Sequence, residues 1–445
     1  MVWQSLIPQF GLQRELDAHA YNCYTEAICW SNAFSKTEQW RLRVTPRILG
    51  LRRGMNPPPD LSGHRAGPIG LRHETLVYFR RMVEQKLDGD EETFTNLMVA
   101  MGREGDLSGA KSILKSVYNI DVDLLLQVDE EEVETPTSYE SDSPLRPTVR
   151  LLFTVAHVFG SNNDIVLAFK LVDFVSRQYD LRIPFNVWMH LYNWAFVLSL
   201  RRSSAKKRQG QTIGHVPYTF LDTLWTEMTD EPHNIKPDVV MYTHRARSMR
   251  DRGMLPESAE NIQAARAKFR ETRGTAQRLS EELLTLTDHL LTTHLPGNPQ
   301  YLVPAEWLHL RREFVLSSLV EDRDLQLLIV TIRLTLTEQS WPGHGYYKDW
   351  ERRQLPDLIA DFAEYLPNTL IYKTLGGRIE MTGLKSTRVA AAKHDMRMSM
   401  RNGLLRAHVD RDIATMEDLF VSAQKFRAEI DGFNKADTPY TSRGR

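Results

Sequence analysis

One stretch, Asp90 to Tyr118, limits what the rest of the chain can fold into. Phe94, Leu97, Met98 and Met101 recur at spacings of three and four and so share one face of a first helix. Gly105 breaks that helix, and Leu107, Ala110, Ile113, Leu114 and Val117 make the matching face of a second. Two short helices joined by a turn cannot bury such stripes alone. Stacked copies can, so recurrence of the unit would set the architecture.

The unit recurs in register. Counting from Glu91, a large apolar residue lies three residues on (Phe94), a breaker fourteen on (Gly105) and a small residue nineteen on (Ala110). The same steps from Val149 give Leu152, Asn163 and Ala168, and from Val239 they give Tyr242, Gly253 and Ser258. A weaker copy runs from Ala18 to Tyr21 and Asn32. The residue before each origin is Asp17, Asp90, Thr148 or Asp238. Each can accept hydrogen bonds from the exposed amides of a first helical turn, while Pro147 and Pro237 stop the helix before.

These residues resemble a known family. Phe220 to Met228, followed by Ile235-Lys236-Pro237-Asp238-Val239-Val240-Met241-Tyr242-Thr243, looks like the second helix, junction and first helix of consecutive pentatricopeptide repeats. The run Asp17 to Cys23 and the unit at Asp90 resemble the same motif. More narrowly, the chain is similar to fungal mitochondrial pentatricopeptide proteins of the ATPase-expression type, through Trp30-Ser31, Trp40 to Arg47, and Leu366 to Lys373.

The expected fold is all-α: a right-handed solenoid of helix-turn-helix repeats over residues 17–270, after a short extension at 1–16, followed by a helical C-terminal domain at 271–445. Loop insertions are expected at 41–70, rich in Pro and Gly, at 127–147, which opens on the acidic run Asp129 to Glu134 and reads as a solvated segment, and at 201–216. Leu71 to Lys86, Val149 to Tyr179, Phe185 to Leu200 and Tyr218 to Met228 read as helical, the last two as one interrupted hairpin. Beyond the repeats, helices are expected at 264–291, 305–336 and 355–365, a turn at 341–345, a small hairpin between Tyr372 and Met381, a basic stretch at 384–406 and a closing helix at 413–430.

At 445 residues and 42% hydrophobic content the chain can bury a large core. No apolar run is long enough to span a bilayer. The formal net charge is −1, yet charge is segregated. Arg41, Arg43, Arg47, Arg52 and Arg53 cluster, as do Arg201, Arg202, Lys206, Lys207 and Arg208, and again His244, Arg245, Arg247, Arg250 and Arg252. A neutral total can hide a basic face. Cys23 and Cys29 lie six apart on one helix and cannot bridge. With only 2 Cys and no metal-ligand spacing among the His, neither a metal nor another cofactor is expected. Residues 1–16 carry no transit-peptide pattern, and the first repeat starts so early that an upstream segment is expected.

Catalytic chemistry is not expected. Gly376-Gly377 lacks the Lys-Ser/Thr of a phosphate loop, His19 and His344 have no evident partner, and Asp349, Asp357 and Asp361 read as solvent-facing acids. A small-molecule ligand is likewise not expected. The resemblance implies single-stranded RNA as partner, bound in the mitochondrial matrix by a factor acting on the stability or translation of a messenger, in this family often one for an ATP synthase subunit. Base-reading candidates are the residues four past each origin, Asn22, Thr95, Phe153 and Thr243, with Asp90, Thr148 and Asp238 at the junctions. Asn, Thr and Asp can pair with a base edge, and Phe153 can only stack. The junction positions are equally those of ordinary helix caps. The Arg41 to Arg53 and Arg201 to Arg208 clusters are candidates for the phosphate backbone. Two other readings stand beside this one: a protein-binding scaffold, and a factor associated with the mitochondrial ribosome.

Overall fold

The computed structural model describes residues 17–30, 70–127, 134–200, 214–293, 302–336, 350–374, 377–383 and 418–420. It is predominantly helical, with one two-stranded sheet among the described residues. The chain divides into two compact units, Met1–Lys236 and Pro237–Arg445.

In the first unit the helices are α1 (Ala18–Trp30), α2 (Leu71–Glu84), α3 (Glu91–Glu104), α4 (Leu107–Tyr118), the short α5 (Val122–Gln127), α6 (Val149–Ser161), α7 (Ile165–Gln178), α8 (Phe185–Ser199) and α9 (Tyr218–Thr229). Their local signals act as expected. Asp17, Asp90 and Thr148 accept from the amides of Ala20, Thr93 and Arg150, and Asp90 forms a full capping box. The breakers Gly105 and Asn163 take left-handed backbone, with φ of 84° and 69°. Ala110 and Ala168, nineteen past their origins, are fully buried.

Packing sorts these helices into two rows. The first helices form a continuous row, α1 on α3, α3 on α6 and α6 on α8, while the second helices α2, α4, α7 and α9 each pack on their own first helix. Helix α8 is therefore a fourth row member, which the spacing rule did not count as an origin. Its Trp188, three residues past Phe185, is fully buried, as Leu152 is in α6. The row is tight because small residues stand where neighbours cross, eleven past Ala18, Glu91 and Val149. The Cys29 thiol meets the Asn96 carbonyl at 3.4 Å. A Cβ on Gly102 would lie 2.9 Å from Val158, and one on Gly160 would lie 2.9 Å from Trp194.

The stretch from 134 onward is not a loose insertion. Thr137 donates to the Tyr118 carbonyl, the Tyr139 hydroxyl to the Val117 carbonyl and the Tyr179 hydroxyl to the Thr137 carbonyl, and Glu91 N–H reaches the Pro144 carbonyl. Tyr139 gives the stretch apolar contact as well, its ring centroid 6.2 Å from that of Tyr118.

The second unit holds α10 (Val239–Asp251), α11 (Leu255–Thr293), α12 (Ala305–Leu336), a π turn (Trp350–Gln354), α13 (Leu355–Asp361), a 3₁₀ turn (Ala363–Tyr365) and the antiparallel hairpin β1 (Thr369–Thr374) and β2 (Gly377–Thr382). Residue 270, the expected end of the repeat region, falls inside α11. Helices α11 and α12 pair along their lengths in antiparallel fashion: Phe269 shares a cluster with Leu325 and Leu328, and Leu283 with Trp307 and Phe314. Ile262, Phe269, Ala276, Leu283 and Leu290 are buried at steps of seven, and Trp307, Phe314, Glu321, Leu328 and Thr335 answer them. That period marks a two-helix seam rather than stacked hairpins. Trp307 Nε1 donates across it to Thr287 Oγ1 at 2.9 Å.

Candidate functional site

The row of first helices in the first unit gathers most of the polar and aromatic candidates. Asn22 on α1 is 1% exposed; its Nδ2 donates to both Asp90 carboxylate oxygens at 2.8 and 3.0 Å, and its Oδ1 lies 2.8 Å from the Thr93 hydroxyl. Thr95 on α3, also 1% exposed, accepts from Arg150 Nε at 3.0 Å. Phe153 on α6 is half-buried, and its ring centroid lies 5.2 Å from that of His190 on α8. In each case the residue four past an origin reaches the next helix of the row. Expected to face an open groove, Asn22 and Thr95 are closed into the seam between hairpins instead, while Phe153 stays half-buried beside it. Phe94, expected to turn into the interface between hairpins, meets Phe79 of α2 there and is half-buried.

The physical reason is that α3 is enclosed on several sides. Beyond its apolar stripe, Thr93, Thr95, Asn96, Val99, Ala100 and Gly102 are all buried. Buried polar groups must find partners, and they find them across the seam. Asn96 Nδ2 donates to the Asn22 carbonyl, and its Oδ1 accepts from Arg150. The Arg150 guanidinium also pairs with Glu26 of α1 and Glu92 of α3, each at 3.3 Å.

The junction residues act as caps and as links. Thr148 caps α6 while its own N–H and hydroxyl donate to Glu91, both at 2.7 Å, and Leu151 N–H joins at 3.2 Å. Glu91 is 8% exposed. Burial pushes its carboxyl up, against three hydrogen bonds that favour the ionised form. In the second unit Asp238 caps α10 through Met241 N–H at 2.9 Å, and Arg323 lies 3.8 Å from its carboxylate. Thr243 is fully buried and donates to the Val240 carbonyl. The backbone candidates Arg41, Arg43, Arg47, Arg52, Arg53, Arg201, Arg202, Lys206, Lys207 and Arg208 lie outside the described residues.

The open side of the row carries residues not singled out from the sequence. Trp30, His157 and His190 stand twelve, eight and five residues past their origins. At 100° per residue these offsets, with position four, fall in one sector of a helix, which is the signal that could have found them. Trp30 is 37% exposed and its ring lies 4.9 Å from His157 and 6.2 Å from Phe153. His157 and His190 meet at 3.2 Å, Nδ1 to Nε2, and Trp194 Nε1 donates to the same His190 nitrogen at 3.1 Å. Burial pushes His157 down to about 3, helped by the neighbouring His190 and Arg103, and burial pushes His190 down to about 4. Both imidazoles are neutral at physiological pH.

Residues 91–209 match the family model described as ATP13: Mitochondrial ATPase expression. The match spans α3 through α8, three of the four first helices of the row, and supports the resemblance to mitochondrial ATPase-expression proteins. Among curated proteins, none matches the chain. The two units differ in what they offer a ligand. In the second, a cavity of about 790 Å³ beside α11 and α12 is lined by Glu281, Glu282, Glu306, His289 and His309, a surface of the wrong sign for a polyanion. No described helix is long and apolar enough to cross a membrane, and no described His, Cys, Asp or Glu cluster could hold a metal ion.

Proposed function

We propose that this protein is a mitochondrial gene-expression factor whose first unit is a solenoid of pentatricopeptide-like hairpins binding single-stranded RNA along its row of first helices. The observation that carries the reading is the row itself, four helices in continuous contact whose open side brings Phe153, Trp30 and two neutral imidazoles together. The family match over 91–209 lies on that row and supports an action on mitochondrial ATPase expression, for which the matrix is the compartment proposed. Unpaired bases are bound by stacking and edge hydrogen bonds, for which aromatic and imidazole groups suit.

On this reading the residues four past each origin do different work. Asn22 and Thr95, each 1% exposed and hydrogen-bonded across the row, set the register of the hairpins; a base edge meets them only if that seam opens. Phe153 keeps its stacking role, and the Arg41 to Arg53 and Arg201 to Arg208 clusters hold the phosphate backbone. The rival reading, a peptide-binding scaffold, draws on the exposure of Trp30.

Crosslinking the protein to RNA in cells and sequencing what is bound tests the proposal, with titration of purified protein against salt. Enrichment of mitochondrial transcripts is expected, with log affinity falling as log salt rises by about 0.7 per phosphate contact. No enrichment, with salt-insensitive capture of protein, supports the scaffold.

A further inference from the structure

A proton count at the histidine pair leads beyond this general reading. Indole Nε1 can only donate, so the His190 nitrogen 3.1 Å from Trp194 is a bare acceptor, and the His190 proton sits on Nδ1. His157 Nδ1 faces the same lone pair at 3.2 Å and must therefore carry a proton, which leaves its Nε2 bare. A second proton on His190 would occupy its Nε2, remove the only acceptor of the pair and set three donors against one another. Neither His157 Nε2 nor His190 Nδ1–H makes a hydrogen bond within the described residues. The pair thus offers one unused acceptor and one unused donor.

Aromatic faces stand beside those two groups. Phe153 and His157, one turn apart on α6, are parallel within 5° at 6.3 Å. At that separation parallel rings are at most offset-stacked, so neither covers the whole of the other's face. Trp30 is tilted against both, at 49° to His157 and 44° to Phe153. Arg103, which donates to the Cys29 carbonyl at the end of α1, supplies a cation near His157. A flat ring whose edge needs a donor and an acceptor describes a nucleobase better than an apolar side chain.

We infer that Trp30, Phe153, His157 and His190 form a stacking site for one unpaired nucleobase, with Trp30 and Phe153 supplying ring faces and the two imidazoles meeting the base edge. The inference rests on the RNA-binding reading and narrows it to one site spanning α1, α6 and α8.

The test compares wild type, Trp30→Ala, Trp30→Phe and Phe153→Leu in the full chain. Probes are polyuridylate, polyadenylate and an abasic ribose-phosphate polymer of equal length. Trp30→Ala is expected to weaken binding of the base-bearing polymers about ten-fold, in the range for one lost stack, and to leave the abasic polymer unchanged. Trp30→Phe restores most of the loss. Phe153→Leu, which keeps apolar volume without the ring, reproduces the Trp30→Ala pattern, and thermal melts of each variant establish that it folds. Unchanged affinity in both ring-deleting variants overturns the stacking site and leaves RNA binding standing, as does equal weakening on the abasic polymer. If wild type binds none of the three polymers, the RNA reading itself falls and takes the site with it. Capture of an aromatic peptide through Trp30 in place of RNA reassigns the surface to a protein partner.

Discussion

The hairpins that begin at Glu91 and Val239 start alike and end differently. Each opens on an Asp cap, turns on a glycine of φ 84° or 82°, and buries a small residue nineteen past its origin, Ala110 or Ser258. The first then closes: α4 ends after 12 residues at Asn119, which takes φ 54°. The second does not, and α11 runs for 39 residues because buried positions continue at steps of seven against α12. The same start signals therefore serve two ways of covering an apolar stripe. In the first unit the cover is the next hairpin, and in the second it is a single long partner.

Core substitutions should separate the two roles most strongly. Trp188→Ala removes a fully buried ring from α8 and should destabilise the first unit by about 3 to 5 kcal/mol. Phe94→Ala, half-buried, should cost less than half as much. Urea melts of both variants check the order, and an equal loss would mean that α3, not α8, anchors the row.

Acid should act on the first unit more than on the second. His157 and His190 in the first and His244 in the second have values lowered by burial to about 3, about 4 and about 3, against an unfolded value near 6.5. Lowered histidine values mean that the unfolded chain takes up protons first. Stability is full above about pH 6.5 and falls on acidification through the window down to about 3. The slope approaches about 1.4 kcal/mol per pH unit for each histidine, less for His157 and His190, which keep part of their surface in water. His190→Phe should flatten the loss in the first unit, read as melting temperature between pH 4 and 7; an unchanged slope would remove the imidazole pair as its source.

The smallest pair of effects is of opposite sign. In the tight row, Gly102→Ala places a methyl 2.9 Å from Val158 and should destabilise by about 1 to 2 kcal/mol. In α11 a Cβ on Gly274 meets nothing within 4 Å, so Gly274→Ala should stabilise by about 1 kcal/mol through helix propensity alone. Calorimetry on both variants reads the difference, and two changes of the same sign would contradict the contrast in packing.

Much of the fold was legible because its signals are local. A carboxylate or hydroxyl before a helix, a glycine or asparagine that tolerates positive φ and an alanine that permits close approach act within a few residues, so fixed spacing reveals them. Helix α8 escaped that rule because Pro184 precedes it and it makes no side-chain cap bond. The heptad seam of α11 and α12 was written in the chain, but its buried positions include Arg311, Ser318 and Glu321, which mask the apolar period.

What the chain determined alone is where helices begin, where they turn and which residue must be small, since each follows from the conformational limits of a single backbone segment. Which side of a first helix faces outward was decided only by tertiary structure. Asn22 and Thr95 are polar and sit where a groove residue would, yet neighbours 68 residues away (Asp90) and 55 residues away (Arg150) claim their hydrogen bonds. Trp30, His157 and His190 come together from three helices separated by long stretches of sequence; helical offsets put each in the same sector of its helix, but which of them meet is decided by how the row packs. A buried polar group takes its partner from whichever element packs against it, and that choice exists only once the row has formed.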